Sequence, residues 1–397
     1  MHVLLAFDKF KDALTAPAAC ALTAAALHER HPDWTLDLCP LADGGEGFCE
    51  ILTHAAGGTV ETHPVTGPRG TPTPATIGFV PLARIPAPAR DLLSLSDSQL
   101  SALRCPLPRD ASVAVIEMAT ASGLALLAPD QRDPWHATTL GTGELIRLAA
   151  ARPGVVAILL GVGGSATSDL GLGALAALGL TFHSATGSPI SPPLPAHWPQ
   201  ISRLSGHLPA SPSLPPIRIA CDVTNPLLGP RGAAATYGPQ KGLRPADLAR
   251  LDHESARLAL LLCAHSQRPD SLMDLPGAGA AGGISFGLMA AADAQLLPGF
   301  DLVSAWLDLE RKLAAADLVI TGEGRFDDTS LTGKGPGAVA ARALALGKPV
   351  HVFAGAVAPL APRDRLTLHA ITPPGTPLAV ALRDANSLLP AGVRAVF

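Results

Sequence analysis

The chain reads as an α/β protein of two domains, one assembled from both chain ends and the other inserted between them. Three observations point there. Short apolar strands alternate with helix patterns in the first sixty residues or so and again after about Gly283, the pattern of a parallel sheet packed against helices. The middle differs in texture and carries two Pro- and Ser-rich stretches, residues 81–110 and 184–216, whose composition does not favour order. The run from Asp317 to Lys334 passes from an apolar strand through a polar, Gly-containing loop to a small-residue helix pattern starting at Pro336. Open α/β sheets build anion sites at their carboxyl edge in this way. The textures place one domain at residues 1–66 plus 284–397 and the inserted one at 67–283.

Taken in order, residues 3–7 form a continuous apolar run, the mark of a strand buried on both faces. Thr15 caps a helix running to about Arg30. Residues 35–39 alternate as a second strand, and Gly44, Gly45, Glu46 and Gly47 open a helix that Gly57 and Gly58 end. Strands are expected at 75–80, 113–118, 155–160 and 217–221, with helices over 138–152 and 245–265. Beyond Gly283 come a helix, a strand at 318–321, a helix, strands at 350–353 and 366–371, and a last helix.

Composition narrows the function. The 397 residues are 48% hydrophobic and 16% charged, ample for two packed cores, and with only 4% aromatics those cores must be Ala, Leu and Val. A net charge of -4 offers no electrostatic case for nucleic acid. Six cysteines without a CxxC pair read as reduced thiols, and 13 dispersed histidines speak against zinc. Asp8, Lys9, Lys11 and Asp12 directly follow the first strand, unlike a signal peptide. The longest charge-free apolar stretch, 275–292, is broken by Pro276 and several glycines, so no membrane span is expected and the cytoplasm is the expected compartment.

Several motifs are set aside on their own terms. Gly161, Gly163 and Ala166 follow a strand as a dinucleotide fingerprint does, but no acid lies between Asp169 and Asp222 to hold a ribose. Gly277, Gly279 and Gly282 match the same spacing without a preceding strand. Gly333 and Lys334 lack a Walker A loop, since Asp328 stands where its first glycine belongs.

What remains is a set of polar loops. Lys9 and Lys11, two apart on an extended segment after Asp8, face the same way and suit one anion. Asp43 and Glu46 bracket Gly44 and Gly45 at a helix start, either as dipole partners or around a ligand that needs close backbone approach. Gly163, Gly164 and Ser165, followed by Thr167, Ser168 and Asp169, stand where a strand hands over to a helix and amides bind anions, though Asp169 could instead cap that helix. Asp222 and Asn225 occupy a turn closed by Pro226, fit either for a metal or substrate hydroxyl or for Asx hydrogen bonds, and Lys241 adds another loop cation. Glu323, Arg325, Asp327, Asp328, Ser330 and Lys334 crowd one loop; carboxylates for a metal and cations for phosphate together suggest phosphoryl transfer.

In order, residues 2–12, 42–47, 161–169, 220–242 and 321–334 closely resemble the bacterial glycerate kinase family of type I, as do 117–124, 138–145 and 276–283. The resemblance implies a Rossmann-like three-layer parallel sheet built from both chain ends, a second α/β domain inserted, and an active site in the cleft between them. It implies ATP-dependent phosphorylation of D-glycerate with Mg²⁺, 2-phosphoglycerate being favoured over 3-phosphoglycerate, in a monomer or homodimer. On the matching positions, Lys9, Lys11 and Lys334 take the phosphates, and Arg325 or the amides of Gly163, Gly164 and Ser165 take the glycerate carboxylate. Asp169, Asp222 and Asp327 are the candidates for base and metal ligand, with Asp222 and Asp327 on the metal. Asp12 and Leu170 stand where the family usually has glycine. A kinase of a related small hydroxy acid and an NAD-dependent oxidoreductase are the alternatives.

Overall fold

The apolar runs become the inner strands of two separate sheets in a computed structural model that describes residues 1–95, 108, 110–209, 213–327, 330 and 335–397. The described strands are β1 His2–Phe7, β2 Thr35–Leu38, β3 Thr59–Thr66, β4 Pro72–Pro81, β5 Ser112–Glu117, β6 Val155–Gly161, β7 Thr181–His183, β8 Arg203–Ser205, β9 Ile217–Ala220, β10 Gln295–Leu297, β11 Leu318–Phe326, β12 Val350–Val357 and β13 Leu366–Ala370. The chain divides into two compact units, Met1–Asp43 with Val303–Phe397, and Gly44–Leu302.

The first unit holds a five-stranded sheet in the order β13-β12-β11-β1-β2, parallel throughout. Val3, Leu5 and Phe7 join one core cluster with Ala19, Leu27, Leu389 and Val393. Those partners lie on the helices Ala16–His28 and Leu378–Val396. Leu4 and Ala6 point the other way and are equally buried, on the side where the helix Gly335–Ala345 packs against β1, β11 and β12. Burial on both faces explains why β1 is apolar without alternation. The Thr15 hydroxyl caps its helix by accepting from the Ala18 amide at 3.3 Å.

The second unit holds a six-stranded sheet in the order β10-β9-β6-β5-β4-β3 and a small hairpin of β7 and β8. Strands β5, β6, β9 and β10 run parallel, while β4 pairs antiparallel with both β3 and β5. Its core gathers Ile116, Ile158, Leu160, Ile219, Leu258, Phe286 and Leu288, with Trp198 wholly buried among them.

Several expectations need correcting. The units meet at 43/44 and 302/303 rather than at 66/67 and 283/284. The helix Phe48–Ala55 continues the βα texture of the first unit but packs on β3, β4 and β5. Strand β3, unread in the sequence, pairs along its whole length with β4. At the other boundary, the helix Ile284–Ala292 buries Ile284, Phe286 and Leu288 in the second core. Strand β11 runs on to Phe326, so Glu323 and Arg325 lie on its end and not in a loop. The 184–216 stretch is ordered over its described residues, because Trp198, Ile201, Leu204 and Leu214 all bury and Arg257 Nη1 donates to the Ile201 carbonyl at 2.8 Å. Part of the 81–110 stretch is ordered too, with the helix Ala87–Leu92 and buried Ile85, Ala89 and Leu93; residues 96–107 and 109 lie outside the described residues.

Asp12 and Leu170, the two positions where glycine is usual, both adopt left-handed backbone, with φ of 61° and 56°. That conformation costs an ordinary L-residue roughly 1–2 kcal/mol, less for Asp. Among the described residues, no helix is long and apolar enough to cross a membrane. Cys20, Cys39, Cys49 and Cys263 are free thiols, and Cys105 lies outside the described residues.

Candidate active site

In the first unit the polar residues collect at the carboxyl ends of β1 and β11, which are neighbours in register from Val3 against Leu318 to Phe7 against Gly322. The Asp8 amide continues the ladder, donating to the Gly322 carbonyl at 3.0 Å. Gly322 has no alternative there, since a Cβ would stand 1.8 Å from the Phe353 carbonyl oxygen. Asp8 is buried and accepts from the Lys9 amide at 2.7 Å. Lys9 Nζ reaches Asp43 Oδ1 at 3.3 Å. Arg325, largely exposed, donates from Nε to Asp327 Oδ2 at 3.2 Å. The Asp327 amide donates to Ser330 Oγ at 3.2 Å, which folds the chain back directly after β11.

The electrostatics of this edge centre on Glu323. Burial pushes its carboxyl up to about 7, and Asp8, Asp327 and Asp43 push the same way against the Ser330 hydroxyl. Like charges held close together raise the cost of ionising any one of them. Among the described residues, no three acidic, His or Cys side chains stand close enough to hold a metal ion by themselves. A small hard cation bound by one or two carboxylates plus phosphate oxygens fits this donor set, the usual arrangement for Mg²⁺. Lys11 is exposed at the tip of a tight turn closed by the Leu14 amide on the Phe10 carbonyl at 2.9 Å. The segment is therefore not extended there, and the same-face pairing of Lys9 with Lys11 does not hold. Lys334 and Asp328 lie outside the described residues.

In the second unit three motif loops meet backbone to backbone. The Gly163 amide donates to the Gly44 carbonyl at 2.9 Å. A Cβ on Gly163 would stand 2.6 Å from Gly45 Cα, one on Gly161 2.6 Å from the Gly44 oxygen, and one on Gly44 3.1 Å from the Ala220 oxygen. The glycines thus let the ends of β6 and β9 and the start of the helix Phe48–Ala55 close on one another. Gly164 turns the loop with φ of 71°. Glu46 stays exposed beside it.

Three residues expected to meet ligand are instead engaged with the fold. Asp169 is wholly buried; its Oδ2 accepts from the Thr139 amide at 2.8 Å, the Thr139 hydroxyl at 2.9 Å and the Gly173 amide at 3.3 Å, and its Oδ1 from the Gly171 amide at 3.2 Å. Burial raises its pKa and these bonds oppose the rise. It caps the helix Leu172–Ala177 and ties it to Thr139, a residue the sequence reading passed over inside the 138–145 motif. Lys241 is 1% exposed, with Nζ 2.9 Å from Ser165 Oγ and 2.5 Å from the Thr167 carbonyl. Burial pulls its ammonium down to about 7, opposed by Asp169. It holds the Gly163 loop from behind and is not an open loop cation. Asn225 donates to the Arg231 carbonyl at 2.7 Å and to Thr236 Oγ1 at 3.1 Å, and accepts from the Tyr237 hydroxyl at 2.7 Å, so its amide holds a turn. Asp222 is half-buried, and its Oδ2 accepts from the Phe300 amide at 2.9 Å at the start of the helix Gly299–Trp306.

Two polar groups on the Gly163 loop are left over. Thr167 Oγ1 and Ser168 Oγ are buried with no hydrogen-bond partner among the described residues. Buried hydroxyls are normally paired, so each marks a place for water or ligand.

Known proteins are similar to this chain over most or all of its length. A glycerate kinase from Halalkalibacterium halodurans is 35% identical over 89% of this chain and 85% of its own, and an Escherichia coli protein named glycerate 2-kinase is 37% identical over 90% and 86%. A crystal structure of a candidate glycerate kinase 2 from Salmonella typhimurium LT2 superposes with a TM-score of 0.75 at 37% identity, covering 100% of this chain and 97% of that one. The model of the glycerate kinase family matches residues 3–397, and the chain belongs to that family.

Proposed function

We propose that this protein transfers the terminal phosphoryl group of ATP to D-glycerate, with Mg²⁺ and with 2-phosphoglycerate as the favoured product. Phosphorylation of glycerate follows from the family; the donor, the metal and the position of transfer are the further reading. The observation that carries it is the carboxylate-rich edge of the first unit, where Glu323 is held near neutrality by burial and by Asp8, Asp327 and Asp43, with Lys9 alongside. A carboxyl group whose pKa lies near the working pH is suited to accept a proton.

Glu323 takes the proton of the glycerate hydroxyl. Lys9 binds and orients phosphate oxygens, with Lys11 and Lys334 as the further candidates for that role. Asp327 is the preferred metal ligand over Asp222, whose Oδ2 already serves the Phe300 amide. A magnesium ion held there supplies charge neutralisation on the phosphate oxygens. Arg325, on the same edge, or else the amides of Gly163, Gly164 and Ser165 receive the glycerate carboxylate; in the second unit Lys241 and Asp169 keep the Gly163 loop in register, and the Thr167 and Ser168 hydroxyls are unpartnered among the described residues.

The test is ATP consumption by the purified protein with D-glycerate, metal or both left out. Consumption is expected only when both are present. Equal ATP loss without glycerate, or full activity in excess EDTA, would overturn the reading.

A further inference from the structure

The second unit carries a half-open cavity of about 660 Å³ far from the motif loops along the strand direction. Arg218, on its wall, is the second residue of β9, and Gln295, also on the wall, is the first of β10 and pairs with it in register. The loops that carry Gly163 and Asp222 leave the opposite, carboxyl ends of β6 and β9. The cavity therefore lies at the amino edge of the sheet, and no residue of the glycerate kinase motifs discussed above lines it.

Its chemistry is that of an anion site with apolar walls. Arg218 is 8% exposed. Its Nε donates to the Leu93 carbonyl at 3.0 Å and its Nη1 to the Ile217 carbonyl at 3.5 Å. Among the described residues no carboxylate forms an ion pair with it. The Asp293 carboxylate on the same wall favours its charge at longer range, and a bound anion at Arg218 would offset the burial cost that Asp293 meets only in part. Arg268, also on the wall, is paired at 2.8 Å with Asp293, whose carboxylate is 78% exposed and faces water. His207 stacks on His265 at 5.6 Å beside them. Leu208, Leu214 and Ala291 supply apolar surface. A cavity of this size, lined by apolar and polar groups in similar measure and carrying fixed charges, has room for a small molecule with both a charged and an apolar part.

We propose that this cavity binds a small organic anion, its carboxylate on the Arg218 guanidinium and its carbon body against Leu208, Leu214 and Ala291. The site is separate from that for glycerate, so both are occupied together. The proposal does not depend on the phosphoryl donor or on turnover.

Hexanoate serves as the probe in isothermal titration calorimetry on the whole chain, with hexan-1-ol and inorganic phosphate as comparisons. One saturable hexanoate site per chain is expected, with hexanol and phosphate each at least about tenfold weaker, since one lacks the charge-assisted pair and the other the apolar body. Arg218→Gln should weaken hexanoate about tenfold or more and leave hexanol unchanged. Ala291→Phe, which keeps Arg218 and takes up part of the apolar wall space, should weaken binding of both about tenfold or more; it decides the matter if Arg218→Gln does not fold. Saturating D-glycerate should leave hexanoate affinity unchanged. Absence of a saturable site, equal binding of hexanol or phosphate, unchanged binding in a folded variant, or displacement by glycerate would each overturn the proposal.

Discussion

Replacing Glu323 with Gln separates what this residue costs the fold from what it does in the reaction. Burial and three neighbouring carboxylates raise its pKa from 4.5 to about 7. A raised carboxyl pKa means that the folded state keeps a proton which the unfolded state has released. Stability from Glu323 is therefore greatest below pH 4.5, declines as pH rises through the interval to about 7, and stays at its lowest above that. Roughly 2.5 pH units at about 1.4 kcal/mol each give a full linkage of about 3.4 kcal/mol. The side chain is half-buried, so solvent screening reduces this to roughly 2 kcal/mol. Gln mimics the protonated carboxyl. Glu323→Gln should be more stable than the parent by about 2 kcal/mol at pH 8 and no more stable at pH 4.5. Its turnover should fall by about a hundredfold to ten-thousandfold, the usual contribution of a general base. Urea unfolding followed at both pH values, alongside kcat with D-glycerate and ATP, reads both effects. A variant that gains nothing at pH 8 contradicts the electrostatic assignment, and one that keeps near-normal turnover contradicts the proton-acceptor role.

Asp327→Asn and Lys334→Met should each lower kcat by about a hundredfold to a thousandfold, with unfolding free energy moved by less than about 0.5 kcal/mol; normal turnover in either variant removes that residue from the chemistry. Gly163→Ala places a methyl 2.6 Å from Gly45 Cα, so it should cost about 1–3 kcal/mol of stability and impair glycerate binding, and an unperturbed KM and urea midpoint would refute the close-approach reading. His351 Nδ1 and His369 Nε2 stand 3.0 Å apart on β12 and β13, and burial, with His351 as a second cause, holds His369 down at about 4. A depressed histidine pKa favours the neutral ring in the fold, so this stability is complete above about pH 6.5 and is lost as pH falls towards 4. His369→Phe should therefore lose less stability than the parent between pH 7 and 4.5, by roughly 1 kcal/mol after allowance for its exposure, and a difference that does not change with pH would contradict it.

Backbone-level features were legible where local chemistry decides them. Strand β1 announces itself because both its faces are buried, and Thr15 because a hydroxyl at a helix start has one strong partner. Gly44 and Gly45 read as room for a ligand to approach the backbone, and Gly161 and Gly163 as a discounted fingerprint; the structure instead presses these four against one another. The unit boundaries were not, since whether the helix Phe48–Ala55 packs on β1 or on β4 depends on long-range burial that a βα texture does not carry. Order in the 184–216 stretch escaped for the same reason: Trp198 is buried by residues distant in sequence, among them those around Arg257. Residue types named the site, but burial assigned the parts. Lys241, Asp169 and Asn225 look like ligand groups in a string of letters, yet each is committed to holding a loop, whereas Glu323 gains its chemical interest from burial first and then from Asp327 on its own segment and Asp8 and Asp43 on two others.

Phosphorus NMR of the product formed from ATP and D-glycerate tests the central claim most directly. Phosphate on the 2-oxygen couples to the single proton on C2, and phosphate on the 3-oxygen to the two protons on C3. A doublet that grows as the ATP terminal-phosphoryl signal disappears, only with D-glycerate present, is the predicted result. A triplet would contradict the assignment of position, and loss of the ATP signal to inorganic phosphate alone would contradict the kinase reading itself.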